Sequence, residues 1–155
     1  MVRPLLIVAC AVTVCLLAAC SVEPKPSKSD IEQSLTASLP DFVRLSSLSI
    51  EAMENMGTKV EPIWHARFRA TITLTSRTFA PDGAGSGVLF LRPVHDVGNS
   101  IQLFGKSTSQ LRAGSWPTSI ALENSPELGQ PEAAFSQTQV IIRGTEAEAA
   151  YMAAE

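Results

Sequence analysis

Cysteine is absent after position 20, because the three in the chain are Cys10, Cys15 and Cys20. A domain built from the remaining residues can form no disulfide and no cysteine-based zinc site, so its stability must come from an apolar core. Histidine is nearly as scarce. His65 and His95 are the only two, and neither stands in an H-x-x-x-H or H-E-x-x-H spacing, so no metal is expected. Basic charge is also short, with 12 Lys and Arg against 15 Asp and Glu and a net charge of −3. Phosphate backbones are bound by clustered positive charge, so nucleic acid is not an expected partner. There is no internal repeat, heptad or long charge block. The glycines at 83, 85 and 87 lack the lysine and Ser/Thr of a phosphate-binding loop, and no G-x-S-x-G nucleophile elbow occurs, so neither a nucleotide cofactor nor a serine hydrolase of that type is implied.

What the chain does have in excess is apolar character, with a mean hydropathy of +0.15, and much of it sits at the start. Arg3 is followed by an apolar run from Leu5 to Ala19, broken only by Thr13. A span of hydrocarbon needs about 20 such residues, so the run is short for a transmembrane helix and suits an export signal instead. It closes on Leu17-Ala18-Ala19-Cys20, which resembles the lipobox of bacterial lipoproteins: an aliphatic residue, two small ones, then cysteine. The resemblance implies diacylglycerol on the Cys20 sulfur, cleavage after Ala19 and a further acyl chain on the new amino group. Two or three chains anchor a protein where one is marginal, since each buried methylene contributes about 0.8 kcal/mol. The covalent lipid is then the only group the protein carries. Ser21 differs from the aspartate that resembles an inner-membrane retention signal, which implies the outer membrane, facing the periplasm, in a host with two membranes.

Three segments follow: a signal peptide over 1–19, a lipidated cysteine and flexible tether over 20–28, and one domain over 29–155. With prolines at 24 and 26, the tether is expected to be extended, at about 3.1 Å per residue, and to hold the domain roughly 25 Å from the membrane. Ser29-Asp30-Ile31-Glu32 has the form of a capping box, and Ile31, Leu35 and Leu39 lie on one helical face before Pro40. Alternation then predicts strands near 45–52 and, most clearly, from Trp64 to Leu74. Residues 80–87 read as a glycine-rich loop. Further strands are expected over 88–91, 101–111, 116–123 and 137–143, with Pro93 at an edge or bulge, and 124–131 as loop. Thr145-Glu146-Ala147-Glu148 predicts a short C-terminal helix. The expectation is an α+β fold with an N-terminal helix on one curved antiparallel sheet of five or six strands. The element order is similar to that of cystatin-like and nuclear-transport-factor-like proteins.

His65, Arg67 and Arg69 alternate along the predicted 64–74 strand and therefore share its polar face, about 7 Å apart. Guanidinium groups so placed can take a carboxylate or phosphate, from an anionic envelope component or an envelope protein. The plainer alternative is a solvated face neutralised by Glu51 and Glu54 across the ladder. His95-Asp96 could be imagined with Ser100 or Ser107 in a hydrolase, as could His65. Neighbours on a strand point to opposite faces, however, which argues against that pair. The sequence therefore favours a membrane-anchored binding or structural domain without catalysis. A hydrolase using His95 or His65, and a surface lipoprotein that excludes phage or plasmids from the cell, are the alternatives.

Overall fold

A computed structural model describes residues 23–154. The expected signal peptide and Cys20 lie outside the described residues. The protein has an α+β structure built on two four-stranded sheets, not on the single sheet that the cystatin-like and nuclear-transport-factor-like orders would require.

Helix α1 (Lys28–Ser38) begins earlier than expected, and its cap is Ser27 instead of Ser29. Ser27 Oγ accepts from Asp30 N–H at 3.2 Å while Asp30 Oδ2 accepts from Ser27 N–H at 2.7 Å. Ser27 and Ser29 both stand three residues before an acid. The earlier cap lengthens the helix and still buries Ile31 and Leu35 completely.

Strand β1 (Val43–Asn55) pairs antiparallel with β2 (Ile63–Leu74), whose inward side chains Ala66, Phe68, Ala70, Ile72 and Leu74 are all buried. The chain then leaves this sheet to form β3 (Thr78–Gly85) and β4 (Val88–His95), and returns in β5 (Ser100–Gln110) to pair with β2. Strand β6 (Thr118–Leu122) adds to β5, so the first sheet has the order β1-β2-β5-β6. Helix α1 lies against both edge strands, β1 and β6. Ile31 and Leu35 meet Leu48, Phe68, Ile72 and Leu103 in the main core. Gly105 stands opposite Phe68, and a Cβ there would lie 2.7 Å from both the Phe68 ring and the Ala121 carbonyl oxygen, so only glycine fits under that ring.

The second sheet has the order β7-β3-β4-β8, with β7 (Gln130–Pro131) on β3 and β8 (Gln139–Ile142) running parallel to β4. Residues 80–87 are therefore not a loop. Strand β3 continues to Gly85, and only Ser86 and Gly87, both at positive φ, make the turn that two-residue hairpins favour. Pairing with β4 overrides the poor strand propensity of Pro81, Asp82 and Gly83, and an irregularity between Pro81 and Ala84 absorbs the misfit. Pro93 lies beyond the part of β4 that β8 covers, next to a register shift opposite Thr78 and Phe79, so its missing N–H interrupts no central ladder.

A smaller cluster of Val88, Phe90 and Ile141 closes against Tyr151 of α2 (Glu146–Ala154), whose ring meets Phe90 edge-on at 5.5 Å. Glu148 does not return to Thr145, as the expected capping box requires. It accepts from Gly144 N–H at 2.8 Å and from Arg143, and Thr145 Oγ1 donates to the Ile142 carbonyl.

Of the flexible tether expected over 20–28, residues 20–22 lie outside the described residues, and residues 23–28 are packed. Lys28 belongs to α1 and Pro26 is buried. Trp64 Nε1 donates to the Pro24 carbonyl at 3.1 Å, and Asn55 Nδ2 donates to Glu23. Residues 23–27 are thus part of the domain.

Candidate anion-binding face

The alternation of β2 turns His65, Arg67 and Arg69 outward together, and all three are exposed. Their neighbours are set by register. Across β1 they face Glu54, Ala52 and Ser49, and across β5 they face Thr108, Lys106 and Phe104.

Arg69 is already satisfied. Its guanidinium pairs with Glu51 at 3.0 Å and lies 5.0 Å from the centre of the Phe104 ring. Lys106 pairs with Glu123 at 2.7 Å, and that hydrogen bond, reinforced by the charge of Lys106 and weakly by that of Arg67, holds the Glu123 carboxyl below the ordinary glutamate range. Arg67 differs. Among the described residues neither Arg67 nor His65 makes a side-chain hydrogen bond or ion pair.

The cause is a bulge in β1. Register shifts between Ile50 and Ala52, so Glu51 and Ala52 both lie on the exposed side while Met53 turns back toward the core. Glu51 goes to Arg69, and Arg67 is left opposite the Ala52 methyl. On the far side Lys106 faces Ala121, so the row reads Ala52, Arg67, Lys106, Ala121, with two cations between two methyl groups. The space left by Ala52 is part of a cavity of about 310 Å³, walled by Met53, Met56 and Ala66 and edged by Glu54, His65, Arg67 and Lys106. A guanidinium without a carboxylate beside a half-apolar recess can take an anionic oxygen with a short apolar neighbour.

Lys106, Ala52 and Met56 were not among the residues singled out from sequence. Lys106 was legible only as an outward residue of a later strand, since nothing local announces that β5 pairs with β2. The expected neutralisation by glutamate occurs for one arginine alone.

The other candidate separates. His95 Nε2 lies 2.8 Å from the Glu127 carbonyl oxygen, whereas Asp96 pairs with Arg77 at 3.1 Å. Ser100 Oγ is near Thr73 Oγ1 at 3.5 Å, and Ser107 is buried on the opposite face of β5 from Lys106. No histidine, carboxylate and serine converge there. Among the described residues no three His, Cys, Asp or Glu side chains are grouped as metal ligands would be.

No protein-family model, curated protein or solved structure matches this chain.

Proposed function

We propose that this chain is a cell-envelope lipoprotein, anchored by acyl chains on Cys20, whose domain binds an anionic group at Arg67 and performs no chemistry of its own. The anchor reading is supported by the lipobox-like Leu17-Ala18-Ala19-Cys20 at the end of a 15-residue-scale apolar run, and by the lack of cysteine anywhere after it. In a two-membrane host the domain faces the periplasm from the outer membrane. The observation that carries the binding reading is the contrast among neighbours on one face: Arg69, two residues along β2, and Lys106, opposite on β5, have carboxylate partners, while Arg67 has a cavity and a methyl group. His65, at the same recess, is placed to add a second donor.

The ligand class is a carboxylate or phosphate of an envelope component or of an envelope protein. The test is a titration of the mature protein with short-chain phosphatidylglycerol and with inorganic phosphate, followed by NMR of the β2 and β5 amides. Shifts centred on Arg67 that vanish in Arg67→Ala and persist in Arg69→Ala support the reading. Equal loss in both variants, or no shift with either anion, refutes it.

A further inference from the structure

The chain enters the described structure at Glu23, at one end of the first sheet. Asn55 and Trp64, the last register pair of β1 and β2, hold Glu23 and Pro24 respectively, and Pro26 is buried behind them. Beyond that pair the chain continues in the connecting hairpin of residues 56–62, and at the same end the β5–β6 connection of residues 111–117 extends past Gln110, which pairs with Ile63. Met56 N–H donates to Ile63 O at 2.8 Å and Thr58 N–H to Glu61 O at 3.1 Å, so Lys59 and Val60 are the two central residues of a turn. Val60 is 89% exposed and Met56 63%. An ordered tip that offers two apolar side chains and a lysine to water is an unusual use of a turn.

The position of the anchor explains it. Three residues carry the chain from Cys20 to Glu23, and even a fully extended chain covers only about 3.3–3.6 Å per residue, so the Cα of an acylated Cys20 lies within about 11 Å of the Glu23 Cα. A hairpin of seven residues extends a comparable distance past Asn55, at about 3.3 Å per residue along each arm. The leash is no longer than the hairpin.

We infer that residues 56–62 lie in the surface of the bilayer that holds Cys20, with Val60 and Met56 among the upper acyl carbons and the Lys59 ammonium at the headgroups. This rests on the acylation of Cys20 proposed above. The domain therefore has a fixed attitude, with the Arg67 recess at the membrane end and the turn at Val97 at the far end. Val97 is 64% exposed, and its neighbour Gly98 donates to the carbonyl of Leu74, the last residue of β2. The length of β2 and of the hairpin beyond it puts the two valines on the order of 45 Å apart along the sheet.

The test uses the full lipidated protein in vesicles of phosphatidylcholine and phosphatidylglycerol, with Val60→Cys or Val97→Cys carrying a nitroxide. All native cysteines fall within the first 20 residues, so a mature chain acylated at Cys20 takes one label. The expected result is one label per chain, with the ratio of oxygen to nickel-chelate collisions several-fold higher at 60 than at 97. One label per chain with equal ratios overturns the hairpin placement and leaves the anchor standing. Two labels per chain reveal a free Cys20 thiol and overturn both.

Discussion

Arg67 faces Ala52 across the first two strands, and the methyl group stands where an acid would otherwise neutralise the guanidinium. One extra residue in β1 produces that pairing. It sends Glu51 to Arg69 and leaves Arg67 with a cavity, so a backbone irregularity decides which of two similar arginines is available.

Replacing Ala52 with Glu supplies the missing partner. Stability should rise by about 0.2–1 kcal/mol, as for an exposed cross-strand pair, while anion binding at Arg67 is lost. Urea unfolding and anion titration of the same variant check both parts, and unchanged binding would show that Arg67 is not the anchoring cation.

Gly105→Ala forces a methyl group against the Phe68 ring and the Ala121 carbonyl. Phe68 is the largest fully buried side chain of the main core, so it has little room to yield. A loss of about 1–3 kcal/mol in denaturant unfolding is expected, as for overpacked cores. A change below about 0.5 kcal/mol, the range of ordinary surface substitutions, would mean that the ring moves aside freely.

Trp64→Phe keeps a smaller aromatic ring but deletes the donor to the Pro24 carbonyl. The expected cost is about 1 kcal/mol, with faster tryptic cleavage after Lys28 as residues 23–27 loosen. Cleavage at the wild-type rate would show that buried Pro26 alone holds the segment.

Acid should release α2 before it unfolds the first sheet. The Glu148 carboxyl is held below its ordinary range, first by its hydrogen bond from Arg143 and then by the Gly144 N–H, with the Arg143 charge adding to both. Because the folded value is depressed, this contribution is present above the unfolded value and disappears as pH falls through the folded one, below the ordinary glutamate range. Amide exchange of residues 146–154, taken relative to the intrinsic rate at each pH and measured from pH 6 to pH 3, should rise at the acid end, and Glu148→Gln should show the faster relative exchange already at neutral pH. Exchange that is flat with pH in both proteins would exclude the link.

Several features were already written in the order of residues. The period of two from Trp64 to Leu74 put His65, Arg67 and Arg69 on one wet face and five apolar side chains in the core, because the side-chain direction of a strand is fixed by its own backbone. The spacing of Ile31 and Leu35 placed a helix near the start for the same reason. The lipobox-like Leu17-Ala18-Ala19-Cys20 is likewise a local pattern, legible without any fold.

The tertiary structure alone decided what those local patterns meet. Only the return of β5 to β2 brings Lys106 beside Arg67. The bulge at Glu51 depends on which β1 residues can be buried once β2 is in place, and the parallel β4 and β8 pairing joins segments about fifty residues apart. Residues 23–27 have the composition of a linker, yet they are fixed because Trp64 and Asn55 offer them donors at the end of a sheet. Periodicity is a property of neighbours in sequence, whereas register, bulges and docked termini come from long-range pairing, where burial and hydrogen bonding must be satisfied by groups far apart in the chain.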